Sequence, residues 1–333
     1  MNNQEKYDLI TRNLEEILTE KELKDLLKKK KEPSVYWGTM PTGSPHVSYY
    51  FPLLKIADFL KAGLKVKILI ADLHAALDGV PWKILDKRQA YYEALIPEML
   101  KVIGVNTEKL EFVKGSTFQF KPKYFEDVLK ISMKATAGDT KRAASEVVKM
   151  KENPLLGGLI YPIMQALDEQ YLDIDMQLGG TDQRKILVFA REYLPKIGYK
   201  PRIELMNFML PGLVGEKMSS SIEGSKIDMM DSEETINRKI NKAECSAGDP
   251  DNGLLVFIKN IIFMIKNKFT ISRDQKFGGE IVYMTYEDLE KDFKNKKLHP
   301  ADLKKSLANE INTLVKPIRE NPRLQKIYNA AYK

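Results

Sequence analysis

The feature that most constrains this chain is an alternation of short apolar runs and longer amphipathic segments over its first two thirds. Residues 35–37, 66–71, 110–114, 174–178 and 202–206 have the length and composition of buried strands. Helical patterns lie between them at 47–62, 83–103, 121–150, 154–172 and 182–194. Strands separated by helices imply a parallel sheet covered on both faces. In such sheets ligands bind beyond the carboxyl ends of the strands, in the loops that follow. The loops 38–45 and 179–181 fall at that edge. A first helix is expected over 6–31, where Leu9, Ile10, Leu14, Ile17 and Leu18 share one face and Pro33 marks the stop.

After about residue 225 the pattern changes. Segments 232–245, 254–265, 285–295 and 300–320 read as helices with few strand signals. The expected organisation is an α/β, Rossmann-like domain over 1–225 and a smaller α-helical domain over 226–333. One cysteine, Cys245, excludes an intramolecular disulfide framework, and three scattered histidines argue against a His-built metal centre. This usage fits a reducing, cytoplasmic setting. No run approaches the roughly 20 apolar residues of a membrane span, and the first ten residues hold no apolar secretory core. The net charge is +7. It is denser after residue 225, with 20 Lys and Arg against 16 Asp and Glu, than before it, with 33 against 30. A lysine-rich solvated surface and a polyanion partner both account for it.

Two loops carry chemistry. The first, Gly38-Thr39-Met40-Pro41-Thr42-Gly43-Ser44-Pro45, leads into His46 and a helix. Its glycines let backbone approach a ligand, and the following helix N-terminus offers free N–H groups to an anion. A tight turn with an incidental histidine would look the same. The second is Lys217-Met218-Ser219-Ser220-Ser221 between glycines. Such a loop can bring a cation over developing phosphate charge, or can be a Ser-rich linker. A third feature is Tyr161, Gln165 and Asp168, spaced i, i+4 and i+7 on one face of an otherwise apolar helix.

Taken together, the first two loops resemble the paired signature motifs of class I aminoacyl-tRNA synthetases. The narrower resemblance is to tyrosyl-tRNA synthetases of the archaeal and eukaryotic type. It is carried by Tyr36-Trp37-Gly38, Ala71-Asp72-Leu73-His74-Ala75, Tyr161 through Asp168, Gly179 through Lys185, Lys217 through Ser221, Lys276 through Gly279 and Leu298 through Lys304. The first motif departs from the family: Ser48 and Tyr49 stand where a glycine and a second histidine are usual.

The resemblance implies an enzyme that joins tyrosine to tRNA(Tyr) in two steps, through tyrosyl-adenylate, with Mg²⁺ accompanying ATP. It implies that Tyr36 and Asp168 bond the substrate phenol, and that Tyr161, Gln165 and Gln183 hold its α-amino group. It places Gly38, His46, Gly180, Asp182, Met206 and Lys217 through Ser221 around ATP, with His46, Lys217 and Ser220 acting on the reacting phosphates. Arg184 and Lys185 would meet the acceptor stem; Phe277, His299 and Asp302 would meet the anticodon. A homodimer through 83–153 is also implied. A tryptophanyl enzyme and a non-catalytic RNA-binding paralogue are the alternatives. No long insertion that could house an editing domain is visible, and a pocket built to bond a hydroxyl needs none.

Overall fold

The five apolar runs become five strands of a six-stranded sheet, and a short strand from outside them, β1, makes the sixth: β1 (Glu16–Leu18), β2 (Ser34–Thr39), β3 (Lys65–Ile70), β4 (Leu110–Lys114), β5 (Met176–Gly180) and β6 (Ile203–Asn207). The computed structural model describes residues 1–148, 153–213 and 226–333. Strand order is β1-β6-β5-β2-β3-β4. The pairs β6–β5, β5–β2, β2–β3 and β3–β4 are parallel, and β1 adds an antiparallel edge to β6. The chain leaves β2 toward β3 on one side and returns on the other as β5. The neighbouring carboxyl ends of β2 and β5 therefore form a switch point, where open α/β sheets place their ligands.

The helices are α1 (Asn3–Thr11), α2 (Glu20–Lys29), α3 (Tyr50–Lys61), α4 (Asp72–Leu77), α5 (Trp82–Val102), α6 (Ser116–Gln119), α7 (Pro122–Ser132), α8 (Ala137–Ala144), α9 (Leu156–Tyr171) and α10 (Arg184–Tyr193). After residue 226 come α11 (Glu233–Lys242), α12 (Gly253–Phe257), α13 (Phe263–Lys266), α14 (Tyr286–Lys294), α15 (Pro300–Arg319) and α16 (Pro322–Tyr332).

The chain forms two compact units. One comprises Met1–Thr42, Lys55–Glu93 and Asn106–Met209, the other Gly43–Leu54, Ala94–Val105 and Leu210–Lys333. The first holds the whole sheet, with α9 and α10 over a core that includes Tyr36, Leu69, Leu167, Ile186 and Phe189. In the second, α11 packs on α15, and the buried Tyr50 hydroxyl donates to the Leu314 carbonyl at 3.1 Å. A boundary at residue 225, like Lys217, Met218, Ser219, Ser220 and Ser221, lies outside the described residues.

Three expectations change. The single helix over 6–31 is instead α1, β1 and α2. Asn13 adopts φ 59°, which ends helical geometry, and the Glu15 N–H donates to the Met206 carbonyl at 2.8 Å, starting β1 against β6. Thr19 and Glu22 then cap α2 reciprocally. The helical stretch 121–150 is broken between α7 and α8, where Thr136 and Asp139 form another capping box. The region after 225 carries a hairpin, β7 (Phe269–Ile271) with β8 (Ile281–Tyr283), pairing Phe269 with Tyr283.

Candidate active site

The switch point places Tyr36 of β2 in the core at 1% exposure, where α9 presents Tyr161, Gln165 and Asp168. Asp168 is fully buried. Gln119 Nε2 donates to its Oδ1 at 2.8 Å, and Tyr124 Oη lies 2.9 Å from the same oxygen. Tyr124 Oη is also 2.8 Å from the Met164 carbonyl, so its single proton serves one acceptor at a time. Asp168 Oδ2 has no hydrogen-bond partner, and neither has the Tyr36 hydroxyl. A buried polar atom without a partner is costly, so two in one pocket mark a place built for a polar ligand group.

Electrostatics sharpen this. Burial pushes the Asp168 carboxyl up to about 8, opposed by the Gln119 and Tyr124 hydrogen bonds and reinforced by the charge of Asp72. Burial also raises the Tyr36 phenol far above its ordinary range, with the charges of Asp168, Glu169 and Glu204 adding to it. His74 Nε2 stands 3.8 Å from Asp168 Oδ2, and its ring meets Tyr161 edge-on at 4.6 Å. Burial lowers His74 to about 4, so the imidazole is neutral at pH 7.

The rest of the α9 face turns to polar contacts. Gln165 Nε2 donates to Gln183 Oε1 at 3.1 Å, and Tyr161 Oη reaches Met40 Sδ at 3.5 Å. Gly179 and Gly180 of β5 pair with Met206 and Asn207 of β6 at the carboxyl edge. A Cβ on Gly180 would lie 2.5 Å from Asp182 Oδ1, so glycine there lets the Asp182 carboxylate sit against backbone. The Met206 carbonyl is already taken by Glu15. Gly38 is exposed, with only ordinary contacts around it.

His46 belongs to the second unit, where it precedes the 3-10 turn Val47–Tyr49. It bridges Asp228, and Val47 N–H donates to the Ile227 carbonyl at 3.0 Å. Lys226 Nζ donates to the Ser44 carbonyl at 3.1 Å and lies 3.4 Å from Asp228 Oδ2. The first signature loop is thus stitched to the chain that immediately follows the second. Burial, then the Lys226 charge, lowers His46 to about 3. His46 is therefore a neutral hydrogen-bonding group, and Lys226 supplies the positive charge.

The remaining candidates lie at the surface. Arg184 makes a two-point bond to Glu16, at 2.7 and 2.9 Å, and Lys185 pairs with Glu146 at 2.8 Å. Phe277 is 62% exposed, beside Gly278 and Gly279 at positive φ. His299 caps α15, its Nδ1 accepting from the Ala301 N–H at 3.1 Å, and Asp302 lies in the same first turn. The structure thus brings Tyr36, Tyr161, Gln165, Asp168 and Gln183 onto neighbouring elements of one unit. It adds Gln119, Tyr124 and His74, to which sequence reasoning gave no role. His74 lies in a quoted motif, whereas Tyr124 sits in an unremarkable helical stretch and Gln119 falls between that stretch and the 110–114 strand.

Comparison with known proteins follows the same lines. Residues 28–316 match the family described as tRNA synthetases class I (W and Y). The chain is 53% identical to the cytoplasmic tyrosine–tRNA ligase of Gallus gallus over 99% of its own length, and spans 63% of that relative. It is 48% identical to the cytoplasmic tyrosine–tRNA ligase of Saccharomyces cerevisiae, covering 95% of this chain and 84% of the yeast protein. The crystal structure of the Archaeoglobus fulgidus tyrosyl-tRNA synthetase complexed with L-tyrosine superimposes with a TM-score of 0.87 at 38% identity, covering 98% and 99% of the two chains. The chain belongs to the class I tRNA synthetase family (W and Y), on its tyrosyl side.

Proposed function

We propose that this chain is a tyrosine–tRNA ligase. The observation that carries the reading is the pair of unbonded buried atoms, Tyr36 Oη and Asp168 Oδ2, beside the Gln119, Tyr124 and His74 side chains that orient the Asp168 carboxyl. A phenol completes that pair: it accepts from Tyr36 and donates to Asp168. An indole N–H donates but accepts nothing, so it leaves Tyr36 unsatisfied. Phenylalanine leaves both groups unpaired, and sites of this kind reject the analogue by about 10⁴–10⁵.

In this reading Tyr161, Gln165 and Gln183 hold the α-amino group, so that the substrate carboxylate faces ATP. Gly38, Gly180, Asp182 and Met206 border the nucleotide. The carboxylate oxygen attacks the α-phosphorus in line and pyrophosphate departs, leaving tyrosyl-adenylate. The 3′-terminal ribose hydroxyl of tRNA(Tyr) then attacks the acyl carbonyl of this mixed anhydride, losing its proton, and AMP leaves as the tyrosyl ester forms. No general base is required for the first step, so the chain contributes position and charge. His46 donates to phosphate as a neutral imidazole. Lys217 and Ser220, within the loop Lys217 to Ser221, meet the charge that moves onto pyrophosphate. Mg²⁺, carried on the ATP phosphates, neutralises part of that charge. The described residues contain no cluster of three acidic, His or Cys side chains that would hold it independently.

Arg184 and Lys185 reach the acceptor stem after leaving Glu16 and Glu146. Phe277, His299 and Asp302 offer an exposed ring, an imidazole and a carboxylate to unpaired anticodon bases. The working division remains 1–225 for catalysis and 226–333 for anticodon binding, with a homodimer through 83–153. Among the described residues no helix is long and apolar enough to cross a membrane. The two relatives named above are termed cytoplasmic, which supports the same location here. Tyrosine-dependent ATP–pyrophosphate exchange, followed by charging of tRNA(Tyr), tests the reading. Exchange with tryptophan instead, or with no amino acid, refutes it.

A further inference from the structure

The turn that delivers His46 is held by residues far along the chain. Three consecutive carbonyls accept hydrogen bonds from beyond residue 225: Gly43 from the Tyr332 hydroxyl at 3.1 Å, Ser44 from Lys226 Nζ at 3.1 Å and Pro45 from the Met229 N–H at 3.4 Å. The Val47 N–H donates to the Ile227 carbonyl at 3.0 Å, and His46 bridges Asp228. His46 Nδ1 is buried without a hydrogen-bond partner, and the ring meets Tyr49 edge-on with centroids 5.3 Å apart. With no bond at Nδ1 to fix the ring, the backbone on either side sets where His46 points.

Segment 226–229 is pinned in turn by charged groups. Asp231 Oδ2 accepts from the Asp228 N–H at 2.8 Å and from Lys239 Nζ of α11 at 2.6 Å. Lys239 Nζ also donates to the Lys226 carbonyl at 2.8 Å. The Asp231 carbonyl accepts from Arg319 Nη1, at the end of α15, at 2.9 Å. The Asp231 and Lys239 side chains are 16% and 17% exposed, so this charge-assisted bond is largely shielded from the water and salt that weaken surface pairs. One carboxylate oxygen thus organises the segment twice, at Asp228 directly and at Lys226 through Lys239.

We propose that Asp231 and Lys239 are positioning residues for His46: by fixing 226–229 they hold the turn 43–47, and with it the imidazole, where a phosphate oxygen of ATP meets it. Neither side chain touches substrate. A misplacement of about 1 Å at the reacting phosphates can cost about 10²-fold in rate, so the signature of the pair is the rate of adenylate formation and not the affinity for tyrosine.

The effect on rate rests on the ligase reading; the hold on the turn does not. The test uses the full chain in two measurements. Amide hydrogen exchange of peptides spanning 46–50, read by mass spectrometry, is expected to be roughly ten-fold faster in Asp231→Ala than in the unmodified chain. It should stay near the parent rate in Asp231→Asn, which keeps an oxygen for the Asp228 N–H and for Lys239. Unchanged exchange in Asp231→Ala overturns the proposal. Single-turnover adenylate formation is expected to fall by roughly ten- to hundred-fold in Asp231→Ala and by less than about five-fold in Asp231→Asn, with tyrosine Kd within about two-fold of the parent in both. In a His46→Ala background Asp231→Ala should cost less than about two-fold, because the ring it acts through is gone. Equal cost in both backgrounds, or a loss of tyrosine affinity that matches the loss of rate, overturns the positioning role. Lys239→Met gives the same readouts should Asp231→Ala not fold. Faster exchange at 46–50 in the variants of a chain that forms no adenylate refutes the ligase reading and leaves the hold on the turn standing.

Discussion

Replacing Tyr36 by phenylalanine separates a binding site from a structural core, because the two roles predict opposite signs for stability. The Tyr36 hydroxyl is buried and makes no hydrogen bond in the free chain. Its removal therefore breaks nothing. An unsatisfied buried donor costs about 1–3 kcal/mol, so Tyr36→Phe leaves stability unchanged or raises it. The same hydroxyl, if it donates to the substrate phenol, contributes a neutral hydrogen bond of about 0.5–1.5 kcal/mol net. Its loss weakens tyrosine activation by roughly two- to twelve-fold. Phenylalanine loses no bond and is spared an unpaired hydroxyl, so discrimination between the two amino acids narrows by at least that factor. ATP–pyrophosphate exchange with each amino acid measures the second effect, and thermal unfolding the first. A fall in Tm of more than about 4 °C, or an unchanged KM for tyrosine, refutes the argument.

Four further substitutions probe the remaining parts. Lys217→Ala should lower the rate of adenylate formation by about 10²–10³ while tyrosine Kd stays near that of the parent, read by single-turnover kinetics and calorimetry. Equal rates would remove Lys217 from the chemistry. Arg184→Ala should raise the KM for tRNA without altering pyrophosphate exchange. Glu16→Gln, which frees Arg184, should lower that KM and change stability by less than about 1 kcal/mol, because the pair is half exposed. Phe277→Ala should cost about 1–3 kcal/mol in tRNA recognition, the worth of one base stacked on an aromatic ring, with Tm unmoved. A shift in Tm and none in KM would make Phe277 structural.

Much of this was legible in the sequence because parallel strands bury both faces and so appear as continuous apolar runs. The stretch 110–114 coincides with β4, and the Gly-rich turns after β2 and β5 mark the switch point. What escaped depends on partners distant in sequence. β1 is three residues long and exists because the edge of β6 accepts it, while nothing local at Asn13 announces a break. Thr136 with Asp139 did carry a local capping signal, and was overridden by the surrounding helical pattern. The site divides in the same way. Tyr161, Gln165 and Asp168 share a helix face and declare themselves by spacing. Gln119 and Tyr124 act only through the fold, which carries them across more than 40 positions to the same carboxyl oxygen.

The buried titratable groups of the site also fix how stability responds to pH. His74 and His46 are held at about 4 and about 3, below the ordinary 6.5. Folding releases their protons, so their contribution is complete above pH 6.5 and is lost as pH falls toward 4. Asp168 moves the opposite way. Raised from 3.8 to about 8, it favours the folded chain most below pH 3.8 and loses that contribution as pH climbs to 8. Between about pH 4 and 6.5 the two histidines together outweigh the single Asp168 proton, so these three groups raise stability by at most about 1.4 kcal/mol per pH unit, read by urea midpoints. Between 6.5 and 8 the histidines no longer change, and Asp168 lowers stability by at most about 1.4 kcal/mol per pH unit, with the buried Glu169 and Glu204, also raised well above their ordinary range, acting in the same direction. Surface carboxylates held low by their neighbours, such as Asp139 at about 2, act below pH 4 and leave this window untouched. Relative to the parent, His74→Asn should remove up to about 1.4 kcal/mol per pH unit of the rise between about pH 4 and 6.5, whereas Asp168→Asn should make the fall between 6.5 and 8 shallower. The titrations belong in tyrosine-free buffer, because bound substrate stabilises the folded chain by mass action. A parent protein that gains stability from pH 6.5 to 8 would show that Asp168 is ionised throughout, and that its donors, Gln119 and Tyr124, outweigh its burial.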